Sequence, residues 1–227
     1  ALTLLRVPAD GLEARDKWSF AYQMINAANN VIYYVDKLSD NKFRGNRKKG
    51  ILAEAHFLRA FAHMFLMKYF AYFWDVNSPY GVLIRTEPGS LAVNAKARMS
   101  MRDSYKQMIE DLDYCAENGP DYSTCFRASK GAAKAFKANL LMIRGEGDDY
   151  ANAATLAQDV IDHGGFEMEE TFPDIFEKDY NSKEVIFSRF LSKAVTSAAD
   201  NKGESVKRMF GGTIDLTAYI YMGSGLN

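Results

Sequence analysis

The sequence has few cysteines, few prolines and no excess of charge of either sign. Two cysteines, Cys115 and Cys125, are too few for a disulfide framework or, by themselves, for a zinc site. Whether they are separate thiols or close a short disulfide loop stays open at this point. Twenty-eight Lys and Arg residues balance 29 Asp and Glu residues, and the formal charge is −1. A nucleic-acid-binding domain would carry clustered basic residues, so this composition argues against DNA or RNA as a partner.

No segment of the sequence has the clear pattern of a secretory signal or of a membrane-spanning helix. Residues 1–10 have no basic region followed by an apolar core, so they do not resemble a secretory signal. The most apolar stretch, 57–74, is long enough to be considered as a membrane span. It contains Arg59, His63 and Lys68. One Arg or Lys at the centre of a bilayer opposes insertion by roughly 2.5–3.5 kcal/mol. The stretch is therefore predicted to be a buried helix.

Recognisable catalytic motifs are absent as well. The chain contains no G-x-S-x-G elbow, no Walker loop and no G-x-G-x-x-G fingerprint. His56 and His63 are two turns apart on one predicted helix, roughly 10 Å, which is too far for them to share a metal ion. The sequence therefore predicts a protein that is not an enzyme and that uses no metal and no cofactor.

What the chain does contain is a succession of helical patterns. Apolar residues recur at spacings of three and four, which predicts amphipathic helices. Trp18 lies on the apolar stripe of the first helix and is expected in the core. The last two helices are predicted to form a hairpin about 36 residues long, similar in size to one tetratricopeptide unit. The predicted helices cover residues 14–38, 46–73, a segment that is capped by Ser100 and ends near Gly119, 128–143 and 150–163.

Little of the chain has a strand pattern. Lys183–Ser188 combines β-branched and aromatic residues and is predicted to be a strand. Residues 193–227 are glycine-rich and lack an apolar period, so we expect them to be loosely held. The fold class predicted from the residues is mostly all-α, an antiparallel helical bundle with long loops.

One charged residue and one loop stand out as candidate sites. Arg59 lies in the middle of an apolar helix, and an unpaired buried charge is too unfavourable. We therefore expect an ion pair with Glu54 or Asp111.

Residues 69–80 read YFAYFWDVNSPY, and their later half is predicted to leave the helix. Trp74 and Tyr80 could stack on the apolar faces of sugar rings while Asp75 and Asn77 bond the hydroxyl groups. The alternative is a helix end whose aromatic side chains fold back onto the core.

Several segments, in their order along the chain, resemble motifs of the SusD/RagB family. They are Ala53–Ala60 (AEAHFLRA), Tyr80–Leu83 (YGVL), Tyr105–Leu112 (YKQMIEDL), Arg127–Ala135 (RASKGAAKA) and Glu184–Ser188 (EVIFS). One departure is visible: the family pattern Y-G-x-x-P-L has a proline before its leucine, whereas Val82 and Leu83 follow Gly81 directly. The shape of this loop therefore cannot be taken over from the family.

The resemblance implies a tetratricopeptide-like helical domain over residues 1–192. It implies that segment 193–227 leads into a C-terminal portion that this chain lacks. It also implies a lipoprotein of the Bacteroidota outer membrane, held by a lipid anchor that is absent from this chain. Such a protein binds oligosaccharides or other oligomeric nutrients for a TonB-dependent transporter. The family's glycan contacts lie in variable loops, so no residue is carried over. The alternative is a tetratricopeptide-type scaffold that binds peptides or partner proteins.

Overall fold

The computed structural model describes residues 11–89, 95–178 and 182–188. The chain divides into two compact units, 1–165 and 166–227. In its described residues the first unit contains five long helices: α1 (Leu12–Asp36), α2 (Arg47–Phe70), α3 (Met101–Asn118), α4 (Lys130–Arg144) and α5 (Asp149–His163). Each helix packs mainly on its neighbour in sequence. The all-α prediction is confirmed, and the arrangement is tetratricopeptide-like.

Helix α2 packs on both α1 and α3. Eleven of its side chains are buried, including Phe57, Leu66 and Met67. Its partner α1 presents Ile25 and Ala28 to the core, and Trp18 is half-buried against Phe70. The small side chains of α1 and α2 allow close packing, while the aromatic side chains fill the remaining space.

The later helices begin and end where the sequence predicted, within two residues. The hydroxyl groups of Ser100 and Ser129 accept hydrogen bonds from the third following backbone N–H, and they cap α3 and α4. Gly145 ends α4 with φ of 63°, a conformation that side chains with a Cβ rarely adopt. Helices α4 and α5 then pack through Ala138, Leu141 and Ala153.

The second unit is described over 166–178 and 182–188, and in this part the predicted strand is wrong. Lys183–Ser188 forms turns and bends instead. One backbone hydrogen bond connects Glu167 N to the Lys183 carbonyl, but no ladder follows it in the described part. A β-branched composition predicts a strand only where a partner strand supplies hydrogen bonds. A short helix, α6 (Asp174–Glu177), lies in the same unit. The predicted boundary after residue 192 and the segment 193–227 lie outside the described residues.

Candidate functional site

The candidate site is the loop of residues 71–80, which follows the C-terminus of α2. Helix α2 ends at Phe70, three residues earlier than predicted, and Ala71 takes an extended conformation. The aromatic residues from Tyr72 onward therefore leave the helix. An unwound segment can present its side chains in directions that a helix cannot.

Three aromatic rings of this loop form one exposed cluster. Trp74 is 67% exposed, Tyr80 57% and Tyr72 51%. The rings of Tyr72 and Trp74 are stacked, with centroids 5.2 Å apart and planes at 20°. Tyr80 lies 5.4 Å from Tyr72 at 58°. A contiguous aromatic surface of this kind on a folded domain commonly marks a binding site.

Hydrogen bonds hold the loop in this conformation. Tyr72 N–H donates to the Tyr80 carbonyl at 3.1 Å and closes the loop at its base. The phenol of Tyr105 on α3 donates to the Phe73 carbonyl at 2.7 Å. Burial raises the pKa of Tyr105 to about 12, so this donor stays protonated at any physiological pH. The exposed rings are therefore carried by a backbone that the core fixes.

The two predicted polar residues lie within the same loop and are exposed. Asp75 Oδ1 accepts the backbone N–H of Asn77 at 3.0 Å, which shapes the tip of the loop. Asn77 Oδ1 accepts from Arg102 at 3.0 Å, and Arg102 also makes a two-pronged ion pair with Glu146. The structure thus brings all four predicted ligand-binding residues into one loop, and it gives Asp75 and Asn77 structural partners as well.

Arg59 is buried and its partner is Asp111 on α3. Arg59 Nε donates to Asp111 Oδ2 at 2.8 Å, and Nη2 donates to Oδ1 at 2.5 Å. Burial raises the pKa of Asp111, but hydrogen bonds from Arg59 and His56 outweigh it, so the pKa lies below its ordinary value. The amide of Asn29 on α1 accepts from Arg59 at 2.9 Å and donates to two backbone carbonyls. Glu54, the other predicted partner, pairs instead with Arg127 at 2.6 Å.

The histidines of α2 have separate environments. His56 stacks on Tyr114 and bonds Asp111 Oδ1 at 2.8 Å. His63 is buried, its Nε2 accepts from the backbone N–H of Arg85, and burial lowers its pKa to about 3. In the parts of the chain that the structure describes, no group of three or more His, Cys, Asp or Glu side chains could hold a metal ion.

The two cysteines and the apolar helix also have defined positions. Cys115 and Cys125 are both buried, and the structure does not join them in a disulfide. Burial raises the pKa of Cys115 to about 12. None of the described helices is both long enough and apolar enough to cross a membrane.

These features define a helical domain that presents a fixed, exposed aromatic surface. A family model described as "SusD-like: starch-binding associating with outer membrane" matches residues 9–142. The chain belongs to this SusD-like family, and the resemblance seen in the sequence motifs is confirmed.

Two curated relatives are SusD-like proteins. A SusD-like protein of Bacteroides ovatus is 25% identical over 182 residues, and SusD-like protein P2 of Formosa agariphila is 28% identical over 178 residues. Each match covers 75% of this chain and 32% of the relative. The chain thus spans about a third of the length of the curated relatives that it matches.

Solved structures of similar proteins share the fold. A SusD superfamily protein of Bacteroides thetaiotaomicron has a TM-score of 0.72 at 20% identity, covering 91% of this chain and 47% of that one. A crystal structure with xylogluco-oligosaccharide has a TM-score of 0.65 at 25% identity, covering 80% and 36%. Surface glycan-binding protein A of Bacteroides fluxus has a TM-score of 0.61 at 26% identity, covering 75% and 35%.

Two residues around the loop were missed by the sequence analysis. Tyr72 is the third ring of the cluster, and its exposure follows from the early end of α2. Arg98 contacts both ends of the loop, donating to the carbonyls of Phe70 and Gly81. A signal for Tyr72 was present, because it belongs to the same aromatic run. No sequence signal marks Arg98, since it precedes α3 in a segment without a motif.

Proposed function

We propose that this chain is the helical part of a non-enzymatic glycan-binding protein at the cell surface. The protein takes up oligosaccharides together with a TonB-dependent outer-membrane transporter. The observation that carries the proposal is the exposed cluster of Tyr72, Trp74 and Tyr80 on a backbone fixed by the core. Membership in a family described as starch-binding supports the same class of ligand. Two similar structures, one with xylogluco-oligosaccharide and one named a surface glycan-binding protein, support it further.

The chemistry of the loop suits sugar rings. A pyranose presents C–H groups on one face, and an aromatic ring can cover that face without any loss of hydrogen bonds. The free carboxylate oxygen of Asp75 and the amide nitrogen of Asn77 lie at the tip of the same loop and can bond hydroxyl groups at the edge of the sugar. Because the rings are already in place, little conformational entropy is lost on binding.

The experiment is a fluorescence titration of the full-length protein with a panel of neutral oligosaccharides. The chain has two tryptophans, and Trp18 is half-buried against Tyr22 and Phe70, so a ligand on the loop should change mainly the Trp74 signal. We expect Trp74→Ala to abolish the response and to weaken binding, measured by calorimetry, about tenfold or more.

Tyr34→Ala is the matched control because Tyr34 is 62% exposed but lies on α1, away from the loop. It should leave binding unchanged. Equal losses in the two variants would contradict a site on the loop. Absence of binding to every oligosaccharide would overturn the proposal and would favour the alternative, a tetratricopeptide-type scaffold for peptides or proteins.

The partnership with a transporter needs its own test. The family description, which includes association with the outer membrane, supports this part of the proposal. We expect the full-length lipoprotein to co-purify with a TonB-dependent transporter encoded beside it, after mild detergent extraction of outer membranes. Recovery of the protein without any such transporter would remove the transporter from the proposal and leave glycan binding untouched.

A further inference from the structure

Arg98 is fixed at the base of the aromatic loop. Its Nη1 donates to the carbonyl of Phe70 at 2.6 Å and to the carbonyl of Gly81 at 3.0 Å. These residues flank the loop on either side, so the guanidinium is held where the loop begins and ends. The residue is nevertheless exposed.

The surroundings of Arg98 differ from those of four other arginines in the first unit. Arg59, Arg102, Arg127 and Arg144 each pair with a carboxylate. No carboxylate of residues 11–89, 95–178 or 182–188 lies within ion-pair distance of Arg98. Within the described residues, Nε and Nη2 of Arg98 make no hydrogen bond, so two donor atoms of its rigid fork remain for a ligand beside the rings.

Positive charges other than Arg98 also lie at this end of α2. Lys17 lies 5.8 Å over the ring of Tyr69, which is next to Phe70 in sequence. Lys68 is exposed on the last turn of α2. Burial raises the pKa of the Tyr22 phenol, and the positive charges of Arg85 and Arg98 oppose this. The acidic residue of the loop, Asp75, lies at the tip of the loop rather than at its base.

We propose that Arg98 forms a subsite for an anionic group of the bound glycan, either the carboxylate of a uronic acid or a sulfate ester. A guanidinium bonds both groups through two parallel N–H donors. A sugar that stacks on Tyr72 or Tyr80 would bring such a substituent to the base of the loop. The inference rests on the proposed function and further specifies that the bound glycan carries a negative charge.

The test uses three oligosaccharides of equal length: one neutral, one containing uronic acid and one sulfated. Calorimetry on the full-length wild-type protein should give tighter binding of at least one acidic ligand than of the neutral one. That preference should shrink as salt rises, since exposed charges are screened. In Arg98→Gln, the ratio of acidic to neutral affinity should fall about tenfold. Arg98→Lys should retain part of the preference, because it keeps the charge and loses the fork.

Arg47→Gln is the matched control. It removes the same charge from an exposed arginine at the opposite end of α2, about 35 Å away at 1.5 Å per residue. It should leave all three affinities unchanged. If Arg47→Gln reduces acidic binding as much as Arg98→Gln does, the effect is one of net charge and the subsite is overturned.

The remaining outcomes separate this inference from the proposed function. Neutral binding that depends on Trp74, with no acidic preference in the wild-type protein, overturns the anionic subsite alone. Equal losses of neutral and acidic binding in Arg98→Gln give Arg98 a purely structural role in the loop and also overturn the subsite. No binding of any of the three ligands overturns both.

Discussion

The side chain of Arg59 connects three parts of the first unit. Its guanidinium bonds Asp111 on α3, Asn29 on α1 and the Thr86 carbonyl in the segment after the aromatic loop. Both Arg59 and Asp111 are almost fully buried. Because both charged groups are buried and bond each other, removal of either residue leaves the other as an uncompensated buried charge.

We therefore expect Arg59→Met to lower the free energy of unfolding by roughly 3–5 kcal/mol, because Asp111 is left as an unpaired buried charge. Urea denaturation followed by circular dichroism measures this. Glu54→Gln is the matched control, since it breaks an ion pair whose arginine is 48% exposed, and it should change stability by no more than about 1 kcal/mol. An Arg59→Met protein as stable as the control variant would contradict the structural role of the pair.

His63 gives the molecule a predictable response to mild acid. Burial lowers its folded-state pKa to about 3 from 6.5, with Asp111 opposing the shift and Arg59 and Lys96 adding to it. Between these two values the unfolded chain binds a proton that the folded chain does not. Stability therefore rises with pH in this window and is lost as pH falls below 6.5. The loss between pH 7 and pH 5 should be about 2 kcal/mol.

His63→Gln should flatten this dependence, because an amide oxygen can still accept the Arg85 N–H while the side chain no longer titrates. The slope of stability against pH is the measured quantity, so a uniform loss of stability in the variant does not affect the result. His163→Gln removes an exposed histidine and should keep the wild-type slope. A slope that persists in His63→Gln would show that another group causes it.

For single residues, the sequence predicted the kind of interaction better than it predicted which residues take part. The apolar run around Arg59 implied a buried carboxylate, but the choice between Glu54 and Asp111 depends on how α2 and α3 align. That alignment is set by packing over the whole interface, and no local spacing reports it. Arg98 was missed for the same reason, because its partners are two backbone carbonyls 17 and 28 residues away in sequence.

Among the structural elements, the aromatic loop keeps its position because Gly81 lies very close to the start of α3. A Cβ on Gly81 would lie 2.5 Å from both the Ser100 carbonyl and the Ser104 hydroxyl, and 2.6 Å from the Met99 carbonyl. Gly81 N–H also donates to that Met99 carbonyl, and Val82 N–H donates to the Ser104 hydroxyl. Only a glycine allows the chain to pass here without displacing backbone atoms.

Gly81→Ala should therefore destabilise the protein by about 1–3 kcal/mol and weaken glycan binding, because Tyr80 is adjacent to it. Gly50 lies in the first turn of α2 with open space around it. The substitution Gly50→Ala should therefore have the opposite effect and stabilise the protein by up to about 1 kcal/mol. Thermal unfolding of both variants measures the two effects. A neutral Gly81→Ala with intact binding would mean that the loop can move away from α3.

Whole helices were predicted well because their apolar period and their capping residues agree. The predicted cap Ser100 proves correct, and Gly145 ends α4 through a backbone conformation that favours glycine. The end of α2 was predicted three residues late, since the aromatic pattern continues past Phe70 while the backbone departs. The strand at Lys183–Ser188 failed because a strand depends on its partner, which local composition cannot supply.

At the scale of the whole molecule, the first unit is a series of helices in which each packs mainly on the next. Such near-neighbour packing allows a group of helices to be stable without distant segments. It also explains why the all-α fold could be predicted from local patterns.

We expect a chain that ends at residue 165 to fold on its own. It keeps α1 to α5, the Arg59–Asp111 pair and the entire aromatic loop. Its far-ultraviolet circular dichroism should remain helical, and its near-ultraviolet signal should persist because Trp18 and Tyr105 keep their packing partners. Urea should unfold it in one cooperative transition.

The same shortened chain separates the fold from the binding site. Neutral oligosaccharides should bind it with an affinity close to that of the 227-residue chain, since the three exposed rings and the residues that hold them lie before residue 165. Retained helicity without a near-ultraviolet signal would show that packing needs the second unit. A fully folded 165-residue chain that no longer binds would mean that ligand contacts lie beyond the aromatic loop.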